Sequence, residues 1–101
     1  MSYRVEFLPR ARREFLDAWD WYDDKWGGLG DRFVREVERK LQQIQRTPER
    51  YPERRKEFRE TPIKVFPYLI IYRVQKRKKI VAISSIFHTS RNPKKKYPGK
   101  K

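Results

Sequence analysis

Residues 68–87, YLIIYRVQKRKKIVAISSIF, decide the fold class. Tyr68–Val74 and Ile80–Phe87 are runs rich in β-branched and aromatic side chains, separated by Gln75-Lys76-Arg77-Lys78-Lys79. Two such runs joined by a short charged connection read as the strands of a hairpin. Without Asn-Gly or Asp-Gly between them, the turn type stays open. The second run is apolar on both faces, which suits a central strand.

Upstream of the hairpin, Glu49–Glu60 is polar, crowded with charge and interrupted by Pro52. It reads as a loop entering a strand around Phe58–Phe66, which Pro62 confines to a sheet edge. Before the loop the apolar period changes from 2 to 3.6. Leu29, Phe33, Val37, Leu41 and Ile44 form one helical stripe that ends at Thr47-Pro48. Phe15, Trp19, Tyr22 and Trp26 form another, from Arg10 to about Trp26, stopped by Gly27-Gly28. Two amphipathic helices with so short a join predict an antiparallel helical hairpin. At the N-terminus Tyr3-Arg4-Val5-Glu6-Phe7 alternates as a half-buried strand, ended by Pro9. The order is β-α-α-β-β-β. It predicts an α+β fold, a mostly antiparallel sheet packed on one face by an N-terminal helical hairpin. The opposite face then presents part of the C-terminal half.

At 101 residues the chain predicts one domain, residues 1–101, with a basic, irregular and partly mobile tail over residues 89–101. It has no cysteine, which excludes disulfides and thiolate chemistry. One histidine and scattered carboxylates offer no convergent metal set, and no cofactor is expected. No apolar run reaches a membrane span and the first residues lack a signal segment, so the cytoplasm is the default expectation.

The charge is one-sided. Lys and Arg number 27 against 13 Asp and Glu, for a net +14. Every acid lies at or before Glu60, whereas residues 61–101 hold twelve Lys/Arg and no acid. Such asymmetry is the footprint of a polyanion-binding protein. Arg73, Lys94, Lys95, Lys96 and Tyr97 are the candidate nucleic-acid or target contacts, although a lysine run can equally be a solvated tail. His88, the single histidine, is the candidate proton carrier. RNA cleavage by internal 2′-OH attack also needs positive charge at the phosphate, for which Arg59, Lys64 and Arg91 are candidates. The plain alternative is that His88 hydrogen-bonds the end of its strand. Trp19, Tyr22 and Trp26 read as core. Trp21 falls off their stripe and reads as exposed, and Asp17, Asp20, Asp23 and Asp24 read as solvated positions spread around the helix.

The element order and several local strings resemble the RelE/ParE superfamily of type II toxin–antitoxin toxins. The strings are Tyr3–Phe7, Ala11-Arg12-Arg13-Glu14-Phe15, Trp21-Tyr22, Thr47-Pro48, Arg59 ahead of Phe66-Pro67-Tyr68, and Phe87-His88-Thr89-Ser90-Arg91-Asn92-Pro93. The Phe-Pro-Tyr strand and the His-x-x-Arg-Asn-Pro ending are similar to the plasmid-stabilisation, ParE-like branch. The resemblance implies a growth-inhibiting toxin held by an acidic or amphipathic antitoxin. Its target would be DNA gyrase in the ParE-like mode, or the ribosome and its mRNA in the RelE-like mode, with a degenerate nucleic-acid-binding member as a third possibility. Whether the chain is an enzyme stays open. Cleaving members carry an arginine where Leu69 stands here, which favours the ParE-like mode.

Overall fold

The computed structural model describes residues 3–97. Lys100, Lys101 and the rest of the expected tail beyond Tyr97 lie outside the described residues. The elements are β1 (Arg4–Phe7), α1 (Pro9–Lys25), α2 (Leu29–Arg46), β2 (Glu53–Arg55), β3 (Phe58–Pro62), β4 (Tyr68–Gln75) and β5 (Ile80–His88), followed by a 3₁₀ turn (Pro93–Lys95). They form one five-stranded sheet in the order β1-β5-β4-β3-β2. β1 runs parallel to β5, and the other pairs are antiparallel. The α+β architecture read from the sequence is the one found.

Three details of the strands differ from expectation, the first being that β3 lies between β4 and β2 and not at the sheet edge predicted from Pro62. The segment read as a loop contains β2, so four strands follow the helices. β2 pairs Glu53 with Arg59 and Arg55 with Phe58. All three of its residues are exposed, so no apolar alternation announces it. β3 stops at Pro62 instead of continuing to Phe66. There the Phe66 N–H donates to the Lys64 carbonyl at 2.8 Å, closing a γ-turn around Val65 at φ 75°, a strained conformation for a β-branched residue.

The helices bury the stripes that the periodicity marks. Phe33, Val37 and Ile44 of α2 are fully buried against Ile70, Tyr72, Val81, Ile83 and Ile86 of the sheet. Phe33 alone touches the rings of Phe15, Tyr22, Phe66 and Tyr68, at centroid distances of 5.8, 5.5, 5.4 and 5.1 Å. Burial of one such side chain contributes about 1.5–3 kcal/mol. Trp26 departs from the expected core stripe. It is the residue after α1, with φ −159°, and is 75% exposed. The helical period stops applying where the helix ends.

The hairpin between the helices is tight. A Cβ on Gly30 would lie 2.5 Å from the Trp19 ring and 2.8 Å from the Trp19 carbonyl, so only glycine lets α2 approach α1 this closely. Gly28 begins α2 without a capping side chain. Asp23 supplies one from α1, accepting the Gly28 and Gly30 N–H groups, each at 3.3 Å.

The sheet face opposite the helices is covered in part by the chain's own C-terminal segment. Ile71, Ala82 and Phe87 are buried. Lys96 and the Tyr97 hydroxyl both reach Glu60, the register partner of Ile71 on β3. The Arg10 guanidinium holds the Lys95 carbonyl. The segment expected to be irregular therefore contains a 3₁₀ turn, capped by the Asn92 side chain accepting the Lys94 N–H at 3.0 Å.

Candidate functional site

β1 ends opposite Ile83, where the Leu8 N–H makes a last 2.9 Å bond to the Ile83 carbonyl. β5 continues to His88, which leaves its far edge without a strand partner. α1 takes that edge. Glu14 Oε1 accepts the Ser85 hydroxyl at 2.7 Å and the Ile86 N–H at 3.0 Å. Its Oε2 accepts Arg10 Nε at 3.1 Å and the Arg91 guanidinium. The Glu14 side chain is only 14% exposed. One carboxylate thus completes the ladder and joins α1 to the residues after β5.

Glu14 stands between two depressions. A pocket of about 360 Å³ is lined by Trp21, Tyr22, Tyr68, Ile86 and His88, and a wider groove of about 590 Å³ by Arg10, Arg13, Lys94, Lys95 and Tyr97. Glu14, Asp17 and Arg91 border both. The first is aromatic and the second cationic, so together they offer an apolar seat beside an anion-attracting floor.

His88 packs edge-on against Tyr68, with ring centroids 4.9 Å apart. Its Nδ1 accepts the Ser90 N–H at 3.1 Å and lies 2.8 Å from the Ser90 hydroxyl. A backbone N–H can only donate, so Nδ1 presents a lone pair and the neutral ring carries its proton on Nε2. In that tautomer the ring can donate a hydrogen bond from Nε2, but its basic nitrogen is already engaged. Burial pushes the Tyr22 and Tyr68 phenols above their ordinary range. Both remain neutral at physiological pH.

The other candidate residues do not converge on His88. Arg59 donates to the Tyr51 carbonyl at 2.6 Å and the Glu49 carbonyl at 3.2 Å. It pairs with Tyr72, four residues along β4 from the Tyr68–His88 pair, or roughly 13 Å at strand rise. Lys64 lies beside Glu36, Arg39 and Lys40 of α2. Arg73 donates to Glu57 at 2.8 Å over the Phe58 ring. Lys96 is turned to Glu60, whereas Lys94 and Lys95 open onto the groove with Tyr97. Of the four residues nominated for phosphate chemistry, only His88 and Arg91 share a pocket. Among the described residues no cluster of potential metal ligands occurs.

Sequence reasoning missed Arg10, Arg13, Glu14 and Asp17. Glu14 lies 71 residues before Ser85 and 77 before Arg91, so no local pattern marks it. A weaker signal was available for Asp23: Gly28 opens a helix with no capping side chain of its own, and a carboxylate stands just upstream.

Comparison with known proteins agrees with this geometry. No curated protein matches the chain. Among solved structures, the fold is similar to the chromosomal ParDE system of P. aeruginosa, at TM-score 0.72 and 15% identity, covering 86% of this chain and 96% of that one. The intact E. coli RelBE toxin–antitoxin complex superposes at 0.69 with 19% identity, covering 89% and 100%. The RelBE2 complex of Mycobacterium tuberculosis superposes at 0.63 with 22% identity, covering 87% and 99%. The sequence profile described as the ParE toxin of the type II toxin–antitoxin system parDE matches residues 5–93. With nearly the whole length matched, the chain belongs to the ParE toxin family of type II toxin–antitoxin systems.

Proposed function

We propose that the protein arrests growth in the ParE-like way, by binding DNA gyrase without cleaving RNA, and that a cognate antitoxin neutralises it in the cytoplasm. The observation that carries this reading is the engaged Nδ1 of His88, held by the Ser90 N–H. Cleavage by 2′-OH attack needs a free base close to concentrated positive charge. Here the histidine offers a donor, Arg91 is paired with Glu14, and Arg59 is bound to backbone carbonyls. Leu69, in the position where cleaving members carry arginine, supports the same side. The antitoxin partner follows from the family, and its attraction to the toxin from the net charge of +14.

The test is expression without antitoxin, followed by mapping of mRNA 5′ ends and a gyrase supercoiling assay. Inhibited supercoiling with intact mRNA is the expected outcome. Codon-phased mRNA cleavage that disappears in His88→Ala would overturn the gyrase reading in favour of a ribosome-dependent nuclease. Unimpaired growth would mark a degenerate member.

A further inference from the structure

In this strongly basic chain, residues 14–31 hold six carboxylates and a single cation, Lys25. Two of those carboxylates, Glu14 and Asp23, are consumed inside the fold. Asp17, Asp20 and Asp24 are exposed and make no ion pair among the described residues. Their spacing of i, i+3 and i+7 puts them on one stripe of α1 with Trp21 at i+4. The sequence reading spread the aspartates around the helix. Only Asp23 leaves this stripe.

Locally the arrangement is unfavourable. Like charges at i,i+4 repel, and aspartates toward the C-terminal end of a helix oppose its dipole. Trp21 is 56% exposed in their midst and Trp26 is 75% exposed just beyond, and among the described residues no ion pair offsets the three aspartates. An end that breaks local rules in charge and exposure together is built for something outside the fold.

We propose that this end docks a protein surface bearing arginine and lysine, and that the surface belongs to the toxin's target. The inference rests on the toxin reading above. Guanidinium and ammonium groups would lie on the Trp21 and Trp26 faces and pair with Asp20 and Asp24, while Asp17 marks the boundary with the cationic groove. The chain already makes this contact with itself, since Lys25 Nζ sits 4.8 Å over the Trp21 ring. An acidic antitoxin is repelled here and drawn instead to the Arg10, Arg13, Lys94 and Lys95 groove. The two surfaces therefore divide the two partners by charge. At physiological salt, screening over about 8 Å lets a cationic segment feel the local aspartates more than the distant lysines.

A fluorescein-labelled Gly-Arg repeat peptide, with a Gly-Asp repeat as counterpart, tests the chemistry by anisotropy. Asp20→Asn/Asp24→Asn and Trp26→Ala are each expected to weaken the Gly-Arg peptide about fivefold and to leave Gly-Asp binding unchanged. All three positions are exposed, so thermal unfolding should hold or improve. No Gly-Arg binding, or equal binding by wild type and variants, overturns the proposal. Cells decide the partner. Wild type without antitoxin should arrest growth, and the variants should lose that arrest while still being captured by the antitoxin. Loss of antitoxin capture with arrest retained would assign the end to the antitoxin and refute the proposal. Failure of wild type to arrest growth would strike the toxin reading alone, because the peptide result stands independently.

Discussion

Glu14 and Glu60 both hold the residues after β5, one at each side of the sheet, and each is largely buried, at 14% and 8% side-chain exposure. Their partners differ in kind. Glu14 accepts from a main-chain N–H and a hydroxyl of β5 as well as from Arg10 and Arg91. Among the described residues, Glu60 accepts only from Lys96 and Tyr97. The first carboxylate is part of the sheet's hydrogen bonding, and the second is a clasp on a segment that has already left it. Equal burial therefore does not imply equal importance: what matters is whether a partner can reach water once the carboxylate is gone.

Glu14→Ala is the strongest test. It strands the Ile86 N–H and the Ser85 hydroxyl, and leaves two guanidiniums facing each other. The expected loss is about 3 kcal/mol, toward the lower end for breaking a buried pair because Arg91 is partly exposed. Denaturant unfolding measures it. Glu14→Gln keeps an acceptor for the Ile86 N–H and should recover about half. If Glu14→Ala costs less than about 1 kcal/mol, water replaces the carboxylate and the contrast with Glu60 collapses.

Glu60→Ala should cost about 1–2 kcal/mol, because Lys96 and Tyr97 can turn to solvent. Its signature is local. Hydrogen exchange after His88 should accelerate, while amides of β5 keep their protection. Faster exchange through Ser85 and Ile86 would mean that the clasp supports the sheet after all.

This contrast also explains how much of the molecule could be read beforehand. The Phe33, Val37 and Ile44 stripe and the two long strands are periodic over many residues, and periodicity survives without knowledge of the partner. β2 is three exposed charged residues and carries no period at all. Trp26 obeyed the helical period on paper, but the helix ends one residue earlier. His88 and Arg91 were legible because composition isolates the one and its terminal string the other. Glu14 was quoted only as part of a helix opening, since its role depends on β5 ending next to it, a fact of topology. Arg59 drew attention through its charge, yet it serves the chain between α2 and β2. Type and spacing announce a periodic core better than a site assembled from distant segments.

The smallest effect sharpens the clasp itself. Burial, and then the Glu60 carboxylate, push the Tyr97 phenol up to about 12. The folded state thus favours the neutral phenol relative to an unfolded value near 10. Its contribution is fully present below pH of about 10 and is lost as pH rises through about 12. Tyr97→Phe should be weaker than wild type by about 0.5 kcal/mol at pH 8, and the gap should close just above a pH of about 10 and reverse toward pH 12. The other buried phenols are present in both proteins, so the difference isolates Tyr97. A gap that stays constant from pH 8 to 12 would show that the hydroxyl is not bound to Glu60, and the clasp would then rest on Lys96 alone.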